Sequence, residues 1–336
     1  MSATESVDSS LDLCLAPLRG VTGCSFRAVF RRHFSGLSRA VSPFIATVKG
    51  SRVKPAVLAD VLPDRNRALP LIPQVIGKDP GDLATMLTAL RELGYKQVDL
   101  NAGCPWPMVV RKGRGAGLLA DADRLRRMLD AGCAVLPEGF SIKVRLGLST
   151  TDLLAQRLDI LNAYPLSEVT IHPRTARQMY EGCVHLDVFD DCLRLCRRPV
   201  VYNGDIRTVG DAARLRTQFP SVTRWMIGRG LIADPFLAER IRGATGPRDW
   251  SRLRAWLDEL LAVSCEESAG DKPVLGRMKE LWGYLAGSLS RDDRLLKRIH
   301  FCHRVDEYRR VVDELFERPM VWIEANDGLP QTCSCA

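Results

Sequence analysis

The chain has 336 residues, 46% hydrophobic and 26% charged. That composition excludes disorder and gives enough apolar surface for one large domain and a small one. No apolar run approaches the roughly 20 residues that span a bilayer, which excludes a membrane partner, and polar Met1–Ser10 lacks the basic start and apolar stretch of a signal peptide, so the chain reads as cytosolic. Eleven cysteines, an odd number with no secretion signal, read as reduced thiols rather than a disulfide framework. Residues 1–239 carry 32 Lys and Arg against 24 Asp and Glu, and residues 240–336 carry 16 of each. The net charge of +8 therefore belongs to the first segment, and it favours an anionic partner such as nucleic acid.

After a polar tail over 1–10, eight short apolar or β-branched runs follow in order: Leu13–Leu15, Arg39–Ser42, Leu71–Ile76, Val98–Leu100, Ser141–Val144, Glu168–Ile171, Pro199–Tyr202 and Arg224–Ile227. Amphipathic segments of helix length, such as Gly81–Leu93 and Asp121–Ala134, lie between them. Eight strands alternating with helices predict an α/β fold, a closed (β/α)8 TIM barrel over 11–242, with a doubly wound open sheet as the alternative. A break near Gly243–Pro247 precedes three helical stretches, Trp250–Cys265, Val274–Leu285 and Asp292–Phe316. With no strand pattern among them, they predict a small all-helical domain over 248–318 and a tail over 319–336. In that tail Cys333 and Cys335 form a C-x-C pair with no second ligand pair nearby, which reads as a frayed terminus and not a metal site.

Strands of a parallel barrel are buried on both faces and apolar. Here polar residues gather at their C-terminal ends: Gln74; Asn101 and Cys104; Lys143 and Arg145; His172 and Arg174; Asn203 and Asp205; Gly228 and Arg229. Capping explains any one of these, but six consecutive strands ending this way point to the face where barrels build active sites. Asn203-Gly204-Asp205 and Gly228-Arg229-Gly230 follow the seventh and eighth runs, the common phosphate position in this fold. No G-x-G-x-x-G follows a strand, so a cofactor with one phosphate fits better than a dinucleotide.

The same residues carry a family likeness. Ala16-Pro17-Leu18-Arg19-Gly20-Val21-Thr22 resembles the opening of tRNA-dihydrouridine synthases, and Asp99-Leu100-Asn101-Ala102-Gly103-Cys104-Pro105 resembles their signature strand and catalytic-cysteine loop. Lys143-Val144-Arg145, His172-Pro173-Arg174-Thr175, Asn203-Gly204-Asp205-Ile206 and Ile227-Gly228-Arg229-Gly230 follow in the family's order. Arg277-Met278-Lys279-Glu280-Leu281-Trp282-Gly283-Tyr284-Leu285 resembles, more loosely, the family's helical RNA-binding domain, and that likeness favours a D-loop target. Several positions depart from the pattern. Arg19 and Gly23 stand where acidic residues are common, Pro173 replaces a common glycine, and Trp106-Pro107-Met108 replaces small polar residues and a lysine.

The resemblance implies flavin-dependent reduction of the C5=C6 bond of a tRNA uridine to 5,6-dihydrouridine, with FMN bound, NADPH as reductant and tRNA as substrate. It places Ala16, Pro17 and Leu18 against the flavin ring, with Gln74, Lys143 and His172 bonding its polar edge. Asn101 would sit between flavin and substrate. Asn203, Gly204, Asp205, Gly228 and Arg229 would hold the ribityl chain and phosphate. Cys104 would be the proton donor, and Arg145 and Arg174 would meet the RNA around the base. A thiol with an ordinary pKa of about 8.5 is mostly protonated at neutral pH and can act as a general acid. Cys24, Cys133, Cys183, Cys192, Cys196 and Cys302 read as packing residues. Two basic clusters are candidates for phosphate contacts. One is the loop Arg111, Lys112 and Arg114. The other is a stripe about 120° wide on the last helix, Arg294, Lys297, Arg298 and Arg304, whose plainer reading is a solvated face. A small-molecule FMN oxidoreductase of the dihydropyrimidine or dihydroorotate type is the competing function, and a fold-retaining binding protein without catalysis is a third. A monomer is the default.

Overall fold

The computed structural model describes residues 11–50, 52–289, 293–317 and 321–323, and for residues 293–296 the backbone alone. The polar tail 1–10, and Cys333 and Cys335, lie outside the described residues. Ten strands occur in order: β1 (Asp12–Leu15), β2 (Arg39–Val41), β3 (Ile45–Ala46), β4 (Leu71–Ile72), β5 (Gln74–Ile76), β6 (Val98–Ala102), β7 (Phe140–Gly147), β8 (Val169–Thr175), β9 (Val200–Asn203) and β10 (Arg224–Ile227). The sheet runs β3-β5-β6-β7-β8-β9-β10-β1-β2-β4, and each neighbouring pair is parallel.

All eight expected runs are strands, but one is interrupted. Between β4 and β5 stands Pro73, which has no N–H to give to a ladder. Its carbonyl still accepts from the Asp99 N–H at 2.9 Å. On the other side, Ser42 N–H donates to Ile72 O at 3.0 Å and Gln74 N–H to Ser42 Oγ at 3.0 Å. Because β4 pairs with β2 while β5 pairs with β6, the run closes the ring. The architecture is the expected TIM barrel. β3, a two-residue ladder on β5, had no signature in the sequence.

Helices wrap the barrel where the sequence supplies caps. Pro80–Glu92 starts with Pro at its first turn, and the side chain of Asp79 accepts from Asp82 N–H. Asp121 does the same for Ala122–Val135, and Thr208 and Asp211 form a reciprocal capping box for Val209–Gln218. At the N-terminal end of the barrel, Arg39 bridges Asp12 and Glu168, and Glu168 also takes Arg224 at 3.2 Å. Removing one partner of such a buried network strands the rest.

The C-terminal segment forms helices Trp250–Glu267, Asp271–Leu285, Asp293–Phe301 and Val305–Glu317. The last two correct the single helix expected over Asp292–Phe316. The chain breaks at Cys302–Arg304, where the Glu307 carboxylate accepts from His303 N–H at 2.9 Å and Arg304 N–H at 3.3 Å. Lys279 Nζ meets the outgoing Cys302 carbonyl at 2.6 Å. These helices are fixed to the barrel by an aromatic cluster. The buried Trp256 ring meets Phe34, Phe26 and Phe30 edge-on at 5.5, 5.9 and 6.2 Å. Arg252 lies over Phe34 and Phe236 at 5.2 and 4.6 Å. Among the described residues no helix is long and apolar enough to cross a membrane.

Trp256→Ala should lower unfolding stability by about 3–5 kcal/mol, the usual cost of deleting a fully buried indole. The urea midpoint of the variant measures it, and a shift worth under about 1 kcal/mol would show that the cluster does not hold the helices on the barrel.

Candidate active site

The C-terminal ends of the strands enclose a cavity of about 450 Å³. Every position expected to hold the cofactor lines it: Ala16, Pro17 and Leu18 after β1, Gln74 on β5, Asn101 on β6, Lys143 on β7, His172 on β8, Asn203 at the end of β9, Gly204 and Asp205 after it, and Gly228 and Arg229 after β10. Cys104 and Arg145 line it as well. Close backbone approach explains one of the glycines after β10: a Cβ on Gly230 would sit 2.1 Å from Ile206 O.

A hydrogen-bond chain runs from the barrel interior to the cysteine. Buried Asp99 accepts from Ser141 Oγ at 2.9 Å and from Gln74 Nε2 at 2.8 Å. Gln74 Oε1 accepts from Asn101 Nδ2 at 2.8 Å. Asn101 Oδ1 then accepts the N–H groups of Gly103 and Cys104 at 3.1 and 2.8 Å. On the far side of the loop, Ala116 N–H donates to Cys104 O at 3.0 Å, and Gly115, at φ +55°, passes so close that a Cβ would meet that carbonyl at 2.7 Å. Burial pushes the Cys104 thiol above its ordinary pKa, while the Trp106 N–H, Arg145 and Arg19 pull it partly back. At neutral pH the sulfur keeps its proton.

The opposite wall is cationic. Burial and the neighbouring Arg145 lower Lys143 to about 7, and its Nζ donates to Asn203 Oδ1 at 2.6 Å. His172 is held well below its ordinary pKa by burial and by Arg145, Lys143, Arg174 and Arg229, so it is neutral. Arg174 has only donors to offer, so the His172 Nε2 it meets at 3.2 Å must accept, which leaves the ring proton on Nδ1. Asp205, at φ +40°, is the shared counter-ion of Arg174 and of Arg229, which it meets at 2.9 Å. Burial disfavours its charge, but the Arg174 hydrogen bond, Arg207 and Arg229 outweigh that and hold the carboxyl below its usual range.

Some expectations are corrected. Arg174 is 1% exposed and its guanidinium is spent on His172, Asp205 and the carbonyls of Glu181 and Gly182. It braces the wall and does not face RNA. Cys183 is exposed, not packed. On the last helices, Lys297 is exposed and Arg298 pairs with Glu314 at 2.6 Å. Arg304 sits in the turn, so the four-residue stripe is not one helix face, and the side chain of Arg294 lies outside the described residues. Arg111 and Lys112 are exposed and Arg114 is half-buried, all past Cys104.

The structure adds residues that the sequence did not assign to the cavity. The ring of Tyr180 lies between Arg145 and Arg229, at 5.3 and 5.1 Å from the two guanidinium carbons. Phe44 carries Arg19 at 5.5 Å. Glu280 and Tyr284, from helix Asp271–Leu285, close one side of the cavity.

The model of a family described as "Dihydrouridine synthase (Dus)" matches residues 14–265. A tRNA-dihydrouridine(16) synthase of Ralstonia nicotianae is 35% identical over 288 residues, covering 80% of this chain and 87% of that protein. One from Cupriavidus necator is 31% identical, covering 80% and 88%. One from Pseudomonas putida is 27% identical, covering 91% and 99%. Among solved structures, morphinone reductase superposes with a TM-score of 0.51 at 13% identity, covering 72% of this chain and 88% of that one, a likeness of fold alone. The match begins in β1 and reaches into helix Trp250–Glu267, and the stronger identities hold over four fifths of the sequence, so the chain belongs to the dihydrouridine synthase family.

Proposed function

We propose that the cavity holds FMN, that NADPH is the reductant, and that the base reduced is the tRNA uridine at position 16, the position printed in the names of the Ralstonia and Cupriavidus relatives. Reduction of tRNA uridine to dihydrouridine is the family's reaction and this chain's. The observation that carries the site assignment is a thiol, Cys104, lining the same cavity of about 450 Å³ as the half-buried Lys143 and the arginines Arg145 and Arg229.

The residues fit a flavin with a single phosphate. Ala16, Pro17 and Leu18 offer an apolar floor, and Gln74, Lys143 and His172 offer a polar edge. Arg229 and the backbone at Gly204 and Gly228 suit the phosphate, while Asp205 holds the arginines in place and does not itself meet the anion. Lys143, lowered to about 7 while the cavity is cationic, returns to its charged form when negative charge is placed beside it.

Bound there, reduced FMN would supply a hydride to C6 of the uracil. The C5=C6 bond is conjugated with the C4 carbonyl, so charge moves onto C5, C4 and O4. Cys104 gives its proton to C5. The thiolate left behind is stabilised by the Trp106 N–H, Arg145 and Arg19, the same groups that already temper its pKa. Asn101 fixes the loop that carries the sulfur. Arg145, whose guanidinium donates to Thr175 O at 2.8 Å, is aimed at the base. The base has to leave its stack to arrive there. Arg111 and Lys112, beyond the rim, grip phosphates meanwhile, with Arg114 and Lys297 as further contacts.

Three measurements test this reading. Denaturing release followed by chromatography should yield FMN, and recovery of FAD would overturn the site. Cys104→Ala should keep the yellow colour, while reoxidation of its reduced flavin by tRNA slows by about 10²–10⁴-fold, the usual worth of a general acid. A parent-like rate would remove Cys104 from the mechanism. Finally, the acid is active below its pKa, and burial raises that pKa, so the rate of reoxidation by tRNA should stay level past the ordinary thiol value of about 8.5 and fall only above it. A fall centred near 7 would assign the step to another group.

A further inference from the structure

We infer that Trp106 is a stacking platform for the nucleobase next to the uridine being reduced. This rests on reading the cavity as the uridine's site. Trp106 lines the mouth of that cavity two residues after Cys104, yet its side chain is 60% exposed. Met108 beside it is 72% exposed. Large apolar side chains left in water together on a folded surface mark a contact with something else.

The backbone under the indole is rigid. Proline stands on both sides, and Trp106 holds the extended conformation that a following proline favours, φ −57° and ψ 127°. Its carbonyl accepts from Val109 N–H at 2.8 Å and Val110 N–H at 3.0 Å. A flat ring presented this way loses little freedom when it meets a partner.

The chemistry of the neighbourhood selects that partner. Arg111 and Lys112 are exposed one turn further on and have no carboxylate partner among the described residues. Arg19, over the Phe44 ring, lines the same mouth and has no carboxylate partner among the described residues. An aromatic face set among unpaired cations fits a base flanked by phosphates. When the uridine swings into the cavity, its neighbour loses a stacking face on that side, and Trp106 stands where the strand enters. Every base has a π-face, so the contact favours extrusion without reading sequence.

The test is a binding cycle using the intact flavoprotein and unmodified tRNA, with the flavin spectrum confirming that each variant is folded. Trp106→Ala and Trp106→Leu should weaken tRNA binding by roughly tenfold to a hundredfold, the range of one lost base stack. Trp106→Phe should stay within about threefold of the parent. On tRNA made abasic immediately 5′ or immediately 3′ of the uridine, one of the two should weaken the parent by a similar factor and show no further loss with Trp106→Ala. Parent-like binding by Trp106→Ala, equal binding by the Leu and Phe variants, or losses that multiply at both flanks would each overturn the inference. A failure of the cavity reading itself shows separately, as unimpaired turnover by Cys104→Ala.

Discussion

Asp99 touches neither the cavity nor the thiol, and it decides how both are arranged. A carboxylate can only accept, so the Gln74 amide must turn its NH₂ inward and its carbonyl outward. That carbonyl in turn forces Asn101 to present its NH₂ to Gln74 and its oxygen to the Cys104 loop. Two amides that could each flip are thereby given one polarity, from a group that three strands bury. Burial raises Asp99 to about 7, while the hydrogen bonds from Gln74 and Ser141 pull the other way. The polarity of the chain depends on that balance, because a protonated Asp99 could donate and would no longer specify it.

The wall across from this chain works by crowding cations. Burial is the larger cause of the depressed His172 and Lys143, and Arg145, Arg174 and Arg229 add to it at His172, as Arg145 does at Lys143. One carboxylate, Asp205, and one ring, Tyr180, hold the group together. Without an anion beside it, Lys143 is lowered to about 7 by burial and by Arg145. An anionic occupant reverses the shift, so affinity for the occupant and the protonation of Lys143 are linked.

The barrel was legible because its buried strands are short apolar runs that end in polar residues, and both signals are local in sequence. The polar part of the cavity lining followed from the same strand ends, and Ala16, Pro17 and Leu18 from the family resemblance. What escaped depends on contacts between distant segments. Pro73 looks like a strand interior until one sees that the ladder changes partner there. The helix break at Cys302–Arg304 carries no Gly, Pro or short polar cap residue, since Glu307 reaches back to do the capping. Arg174 follows His172 by two and so shares its face of β8, but only the fold shows that the loop Glu181–Gly182 covers it. Tyr180 sits in a loop whose path nothing local dictates.

Glu280 and Tyr284 add a consequence for how the site comes into being. They form part of the cavity wall, yet they stand on helix Asp271–Leu285, beyond the segment 14–265 that defines the family match. During synthesis the barrel strands all leave the ribosome before this helix does. A chain ending after β10 would contain the thiol, the lysine and the arginines of the cavity and would lack the Glu280 and Tyr284 side of it. The groups that carry the chemistry are thus all synthesised before the helix that closes this side of the pocket.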